Sequence, residues 1–171
     1  MTYSYKAFIV SIFCVSFLSC NNPEPETYLI PQGFIGRVNV IFNQKGGAKP
    51  KYENGRRIYE IPNDGILLTQ CQEEYGLIDH RYYYIGANGE KTALKIYQYD
   101  HNKDGTVKWK INNPNEIGIF NDGTTGQYGN TGSANSAKWQ EFIVSSFNAL
   151  DSLESLDSFN KRISKLINVK L

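Results

Sequence analysis

The chain has 171 residues, with 18 Lys and Arg against 17 Asp and Glu and a formal net charge of +1. That balance offers no electrostatic footprint for nucleic acid and no polybasic patch for lipid headgroups. Two histidines and three cysteines, with no HxH or HxxxH spacing, point away from a zinc centre or a histidine-based catalytic set.

Residues 1–19 read as a targeting segment. Lys6 supplies a positive start, and residues 7–18 form an apolar run too short to span a bilayer. The run ends in Phe17-Leu18-Ser19-Cys20, which resembles a bacterial lipobox, with Phe17 where leucine is usual and Leu18 where a small residue is commoner. The resemblance implies cleavage before Cys20 and lipid attachment to it. Cleavage leaves 152 of the 171 residues, one domain's worth, and removes Lys6 as the only charged residue. Cys14 leaves with the segment and Cys20 is acylated, so Cys71 stands alone and no disulfide is expected. A free cysteine of this kind usually packs as a small buried hydrophobe. Residues 21–26 (NNPEPE) are polar with two prolines, so residues 20–27 are assigned to the lipidated cysteine and a tether, and 28–171 to a single β-rich domain.

In residues 28–70, Val38, Val40 and Phe42 alternate with Arg37, Asn39 and Ile41, the period of a strand. Asn54-Gly55 lies between Lys51-Tyr52 and Ile58-Tyr59, the strongest short-range hairpin signal. Asp64-Gly65 turns the chain into Ile66-Leu67-Leu68. Residues 72–79 form a polar connection, and residues 81–84 and 94–99 flank a second hairpin signal at Asn88-Gly89. Tyr82, Tyr83, Tyr84, Tyr97 and Tyr99 occupy both parities, so one face carries aromatic surface outward unless it is covered. Cross-strand packing under a helix and a ligand-facing surface are the two readings.

Asp100, Asn102 and Asp104 at alternate positions, followed by Gly105, match the first half of an EF-hand calcium loop, with the Thr106 carbonyl as a fourth oxygen donor. The second half fails, because Ile111 stands where a bidentate glutamate is needed and the flanks read as strands. Glu116 completes the set only if the fold returns it. The competing reading is an Asp-Gly turn whose side chains cap the backbone.

Residues 121–136, with glycine at every third position from 123 to 132, read as a polar loop without the sequel of a phosphate cradle. Residues 139–144 alternate as a last strand. Leu156, Phe159, Ile163, Leu166 and Ile167 then recur at helical spacing, predicting an amphipathic helix over about 152–167. Asp151 with Glu154 resembles a capping box; Asp157 early and Lys161, Arg162 and Lys165 late agree with the helix dipole.

The words LIPQGFIGRVNVIFNQ (29–44) and KYENGRRIYEIPNDGILLTQ (51–70) resemble the core of an uncharacterised domain family of lipoproteins from Bacteroidota-type bacteria. That resemblance implies no activity. More remotely, the first strand followed by IPNDGIL is similar to transthyretin-like and carboxypeptidase-regulatory β-sandwich modules, which bears on fold alone.

Five Asx-Gly turns punctuate strands at intervals suited to a mainly β fold, an antiparallel sandwich or partly open barrel with one C-terminal amphipathic helix. The expected function is a non-catalytic binding or assembly module of the cell envelope. It is held to a bacterial membrane through lipid on Cys20, faces the periplasm or the cell surface, and has a protein or glycan partner. Two alternatives accompany it. One is a calcium-stabilised carbohydrate- or peptide-binding module using Asp100, Asn102, Asp104 and Thr106 for the ion, and exposed tyrosines with Trp109 or Trp139 for the ligand. The other is an envelope hydrolase built on Asp64, Glu73, Glu74 and Asp79, which lacks a nucleophile-and-base motif.

Overall fold

Alternating apolar residues and glycine-bearing turns produce strands almost throughout. The computed structural model describes residues 23–130 and 136–167. Its strands run β1 (Glu26–Pro31), β2 (Gly36–Ile41), β3 (Tyr52–Glu53), β4 (Arg56–Glu60), β5 (Ile66–Leu68), β6 (His80–Ile85), β7 (Lys91–Ala93), β8 (Lys95–Ile96), β9 (Tyr99–His101), β10 (Val107–Trp109), β11 (Gly118–Tyr128) and β12 (Ala137–Ser145). A 3-10 turn (Phe147–Ser152) and one helix, α1 (Leu156–Ile167), follow. One sheet has the order β3-β4-β1-β6-β7, the other β5-β2-β12-β11-β8, and β9 and β10 form a separate hairpin. The fold is mainly β, sandwich-like, with no closed barrel among the described residues and one C-terminal helix.

Strand sense departs from the antiparallel expectation. β1 runs parallel to both β4 and β6, β5 parallel to β2, and β8 parallel to β11. The cause is that β1 and β2, consecutive in sequence, go to opposite sheets, so the strands that meet within a sheet arrive from the same end. Antiparallel pairing remains where short turns impose it. Asn54 and Gly55, both at positive φ (51° and 72°), close the β3–β4 hairpin as the dipeptide predicts. Asn88-Gly89 also closes a hairpin, but its second arm is β7, while residues 95–96 cross to the other sheet as β8.

Between the sheets the inward faces interdigitate: Tyr28 and Ile30 of β1, Val38 and Val40 of β2, Tyr59 of β4, Tyr82 and Tyr84 of β6, and Phe142 and Val144 of β12. Cys71 is buried in this core. The outer face of the second sheet is also covered, which is why β12 is buried along nearly its whole length. There α1 lays Phe159 and Ile163 on Ile41, Ile66, Tyr128 and Ala137, not on the β6 tyrosines. The β9–β10 hairpin and the 3-10 turn cover Tyr97, Phe120 and Ile143. On the outer face of the first sheet the two edge strands are joined by Lys91 and Glu53, 2.8 Å apart.

Three boundaries differ from expectation. The helix starts at Leu156, because residues 147–152 wind as a 3-10 turn and Leu153 is extended. Its cap is Ser155, whose Oγ accepts the Ser158 N–H at 3.3 Å, while Glu154 binds Arg162 at 2.8 Å instead of forming a capping box. The polar loop is shorter than predicted, since residues 118–128 extend as β11 across a bulge. At the other end, the expected tether is already structure from Pro23 onward: Glu24 pairs with the buried Arg57, and Glu26, 1% exposed, opens β1. Residues 1–22, with the targeting segment and Cys20, lie outside the described residues.

Phe159 and Ile163 are the only buried residues of α1, so Phe159→Ala should cost about 3–5 kcal/mol in urea unfolding. Leu166→Ala, on the exposed side, should leave the midpoint nearly unchanged.

Candidate functional site

The register of three parallel strands sets a polar row beneath an aromatic one. Glu26 lies opposite Arg57 on β4 and His80 on β6, and Tyr28 lies opposite Tyr59 and Tyr82. Because side chains alternate, both rows point into the sandwich. The three tyrosine rings stack side by side, with Tyr28 centred 5.2 Å from Tyr59 and 4.8 Å from Tyr82. Phe142 of the opposite sheet meets Tyr28 and Tyr82 edge-on. A charged row this deep is costly unless every member is paired.

The pairing comes from both sheets. Tyr28 donates to Glu26 Oε2 at 2.5 Å and Tyr59 to Oε1 at 3.2 Å. His80 Nε2 stands 3.4 Å from Glu26 Oε2 and from the Gln140 amide, and His80 Nδ1 lies 2.7 Å from Asp122 Oδ1. Tyr82 donates to that same Asp122 oxygen at 2.5 Å. Asp122 reaches across from β11 because the strand bulges: Asn121 and Gly123 take positive φ (57° and 74°) and the register slips between Phe120 and Thr124. At the other end of the row, Arg57 binds Glu24, Glu74 Oε1 at 2.9 Å and the Gln72 carbonyl at 3.0 Å.

Burial alone would lower the His80 pKa, but hydrogen bonds to Asp122 and Glu26 outweigh it and lift it to about 9. Burial pushes Asp122 upward, and the hydrogen bonds from His80 and Tyr82 bring it below the usual carboxylate range. Burial, then neighbouring carboxylates, drive Tyr28, Tyr59 and Tyr82 well above an ordinary phenol. The result is an imidazolium clamped between two carboxylates, with phenols that hold their protons. Such a row stores charge and fixes geometry; a nucleophile would need to surrender its proton easily.

Asp122 also faces outward. Its side chain is 28% exposed and contributes to a cleft of about 490 Å³ lined by Tyr97, Gln98, Tyr99, Asp100 and Lys110. Asp100 is engaged by Lys110 at 2.9 Å. Tyr99, 43% exposed, stands edge-on to Trp109 with ring centres 4.9 Å apart, and Trp109 rests in turn on Phe120.

The calcium candidates occupy the β9–β10 hairpin, where the donors engage one another. Asp104 Oδ1 accepts the Thr106 N–H at 2.9 Å and its hydroxyl at 2.6 Å. The Thr106 carbonyl accepts the Asn102 N–H at 2.8 Å, and Asn102 Nδ2 donates to Thr106 Oγ1 at 2.8 Å. Glu116 meets the Tyr97 hydroxyl at 3.2 Å, away from the loop. Among the described residues no group of three or more His, Cys, Asp or Glu is placed to hold a metal ion. This geometry is that of an Asx turn. The candidate hydrolase carboxylates are not brought together: Asp64 caps the Ile66 N–H, Glu73 pairs with Lys138, Glu74 with Arg57, and Asp79 with Arg56 and Arg81. Trp139 packs on Tyr128 beneath α1, not in the cleft.

Sequence reasoning missed Glu26, His80 and Asp122 as one cluster. His80 shares parity with Tyr82 and Tyr84, and Glu26 with Tyr28, so both could have been placed inward. The bulge that delivers Asp122 left no such signal.

His80 gains protons on folding, from an ordinary 6.5 to about 9. Its stabilisation is therefore complete below pH 6.5 and lost as pH rises through 9. Thermal melts should show the midpoint dropping by several degrees between pH 7 and pH 9.5, and His80→Asn should flatten that slope. Calcium and chelator should leave the melting midpoint unchanged; a calcium-dependent rise abolished by Asp104→Ala would instead make the hairpin an ion site.

No curated protein matches the chain. A crystal structure titled "Putative Lipoprotein from Bacillus anthracis" is similar in fold, with a TM-score of 0.56 at 15% identity, covering 85% of this chain and 92% of that one. The match of residues 22–147 to a family described as DUF6843, a family of unknown function, spans all twelve strands and the whole polar row, and the chain belongs to that family.

Proposed function

We propose that this protein is a lipid-anchored module of the bacterial cell envelope that binds its partner without catalysis, through the cleft between Asp122 and Tyr99. One observation carries the reading. Asp122 is held ionised from within by His80 and Tyr82 while its outer side faces a cleft lined by Tyr99, whose ring stands edge-on to Trp109. A fixed anion beside an exposed aromatic ring suits a glycan or peptide bearing hydroxyl or ammonium groups. The inward, mutually satisfied placement of His80 supports a binding role over catalysis. The apolar leader ending at Cys20, together with the similarity to a protein titled a lipoprotein, supports envelope anchoring, on the periplasmic or surface side. The near-neutral charge supports a partner other than nucleic acid.

Trp109 is the natural reporter. In a Trp139→Phe background, neutral oligosaccharides, amino-sugar oligomers and lysine-bearing peptides should be titrated while indole emission is followed. A saturable change with one class, weakened about tenfold or more by Asp122→Asn, is the expected result. Emission indifferent to all three classes, or a response that Asp122→Asn leaves intact, would sink the cleft as the binding site.

A further inference from the structure

The anchored end of the domain carries its most exposed apolar side chains. Leu77 is 99% exposed, Tyr75 64% and Tyr52 54%, above every other large hydrophobic side chain among the described residues. All three sit around the point where the chain enters the fold. Tyr52 donates its hydroxyl to Glu24 Oε2 at 3.0 Å. Tyr75 and Leu77 flank Gly76, where an added Cβ would lie 3.4 Å from the Pro23 ring. Lys138 stands 4.5 Å from the centre of the Tyr75 ring and also pairs with Glu73. The patch thus combines a bare leucine, two tyrosines with polar tips and a rim of charge, the chemistry favoured at a membrane–water boundary.

Chain length decides what meets this patch. Cys20 and Pro23 are three residues apart, a reach of at most about 10–11 Å even fully extended. A headgroup layer is about 5–8 Å deep on each side of the hydrocarbon. Lipid on Cys20 therefore holds the Pro23 end within a few ångströms of the headgroup surface at most.

We infer that the Tyr52–Tyr75–Leu77 face is a membrane-contact surface, on which the domain rests end-on with Leu77 at the level of the lipid headgroups. The inference builds on lipid attachment at Cys20, part of the function proposed above. It replaces a domain swinging on a tether with one held in a fixed attitude. The strands of β6 run from the anchored end at His80 to the far end at Ile85, so the Asn88 turn points away from the bilayer.

The test uses the full lipidated chain in phosphatidylcholine vesicles doped with brominated lipid. An environment-sensitive fluorophore is placed on Leu77→Cys or, as a control, on Asn88→Cys; Cys71 is buried and contributes no competing exposed thiol. Several-fold stronger quenching at position 77 than at 88 is expected, and a Tyr52→Ser/Tyr75→Ser background should reduce it without releasing the protein from vesicles. Protein that floats with vesicles yet shows equal quenching at both positions overturns the contact surface and leaves the anchor intact. Protein that fails to float, and behaves as Cys20→Ala does, overturns the anchor and the contact surface together.

Discussion

The contact between His80 and its two carboxylates is the constraint around which the sandwich is arranged. Glu26 belongs to the first strand of one sheet and Asp122 to the bulge of the other, with His80 between them at 3.4 and 2.7 Å. Neither acid could be buried alone at tolerable cost, and the imidazole could not stay charged without both. The three groups therefore fix the distance and register of the sheets in a way that apolar packing, indifferent to small slips, does not. The stacked tyrosines add to this, since each hydroxyl is tied to one of the same carboxylates.

One carboxylate of the trio has a second exposure. Asp122 is orientated on its inner side by His80 and Tyr82, and its outer side is open to the cleft. Rigid support of a polar group before any ligand arrives lowers the ordering cost of binding. The same residue thus ties the sheets together and lines the cleft, placed there by the bulge at which Asn121 and Gly123 take positive φ.

Most of the scaffold was legible in the sequence because local chemistry governs it. Asn54-Gly55 made its hairpin, Val38 and Val40 alternated into the core, and Phe159 and Ile163 marked the buried stripe of the helix. What escaped was non-local. Period-two patterning says which face a residue occupies but not which strand lies beside it, so the parallel pairing of β1 with β4 and β6 left no trace. Glu26 read as linker because a glutamate between prolines and polar residues has no apolar periodicity to betray it. Asp122-Gly123 read as a turn between strands, since a bulge and a turn use the same residues. The EF-hand-like spacing shows the converse: Asp100, Asn102 and Asp104 satisfied a pattern whose side chains the hairpin employs internally.

The pairing of β2 with β12 has a bearing on how the protein is made. Asn39 lies opposite Glu141, a separation of more than 100 residues, and β1 must wait for β4 and β6. Topologies with such high contact order fold slowly, because loop-closure entropy is spent before the distant contacts repay it. The central strand of the second sheet is also the last strand of the chain, so that sheet cannot be completed on a partially synthesised polypeptide, although every strand of the first lies before residue 94. The sandwich therefore cannot close until the C-terminal third has emerged, and a chain whose two sheets are not yet packed together is easier to thread through a narrow translocation channel.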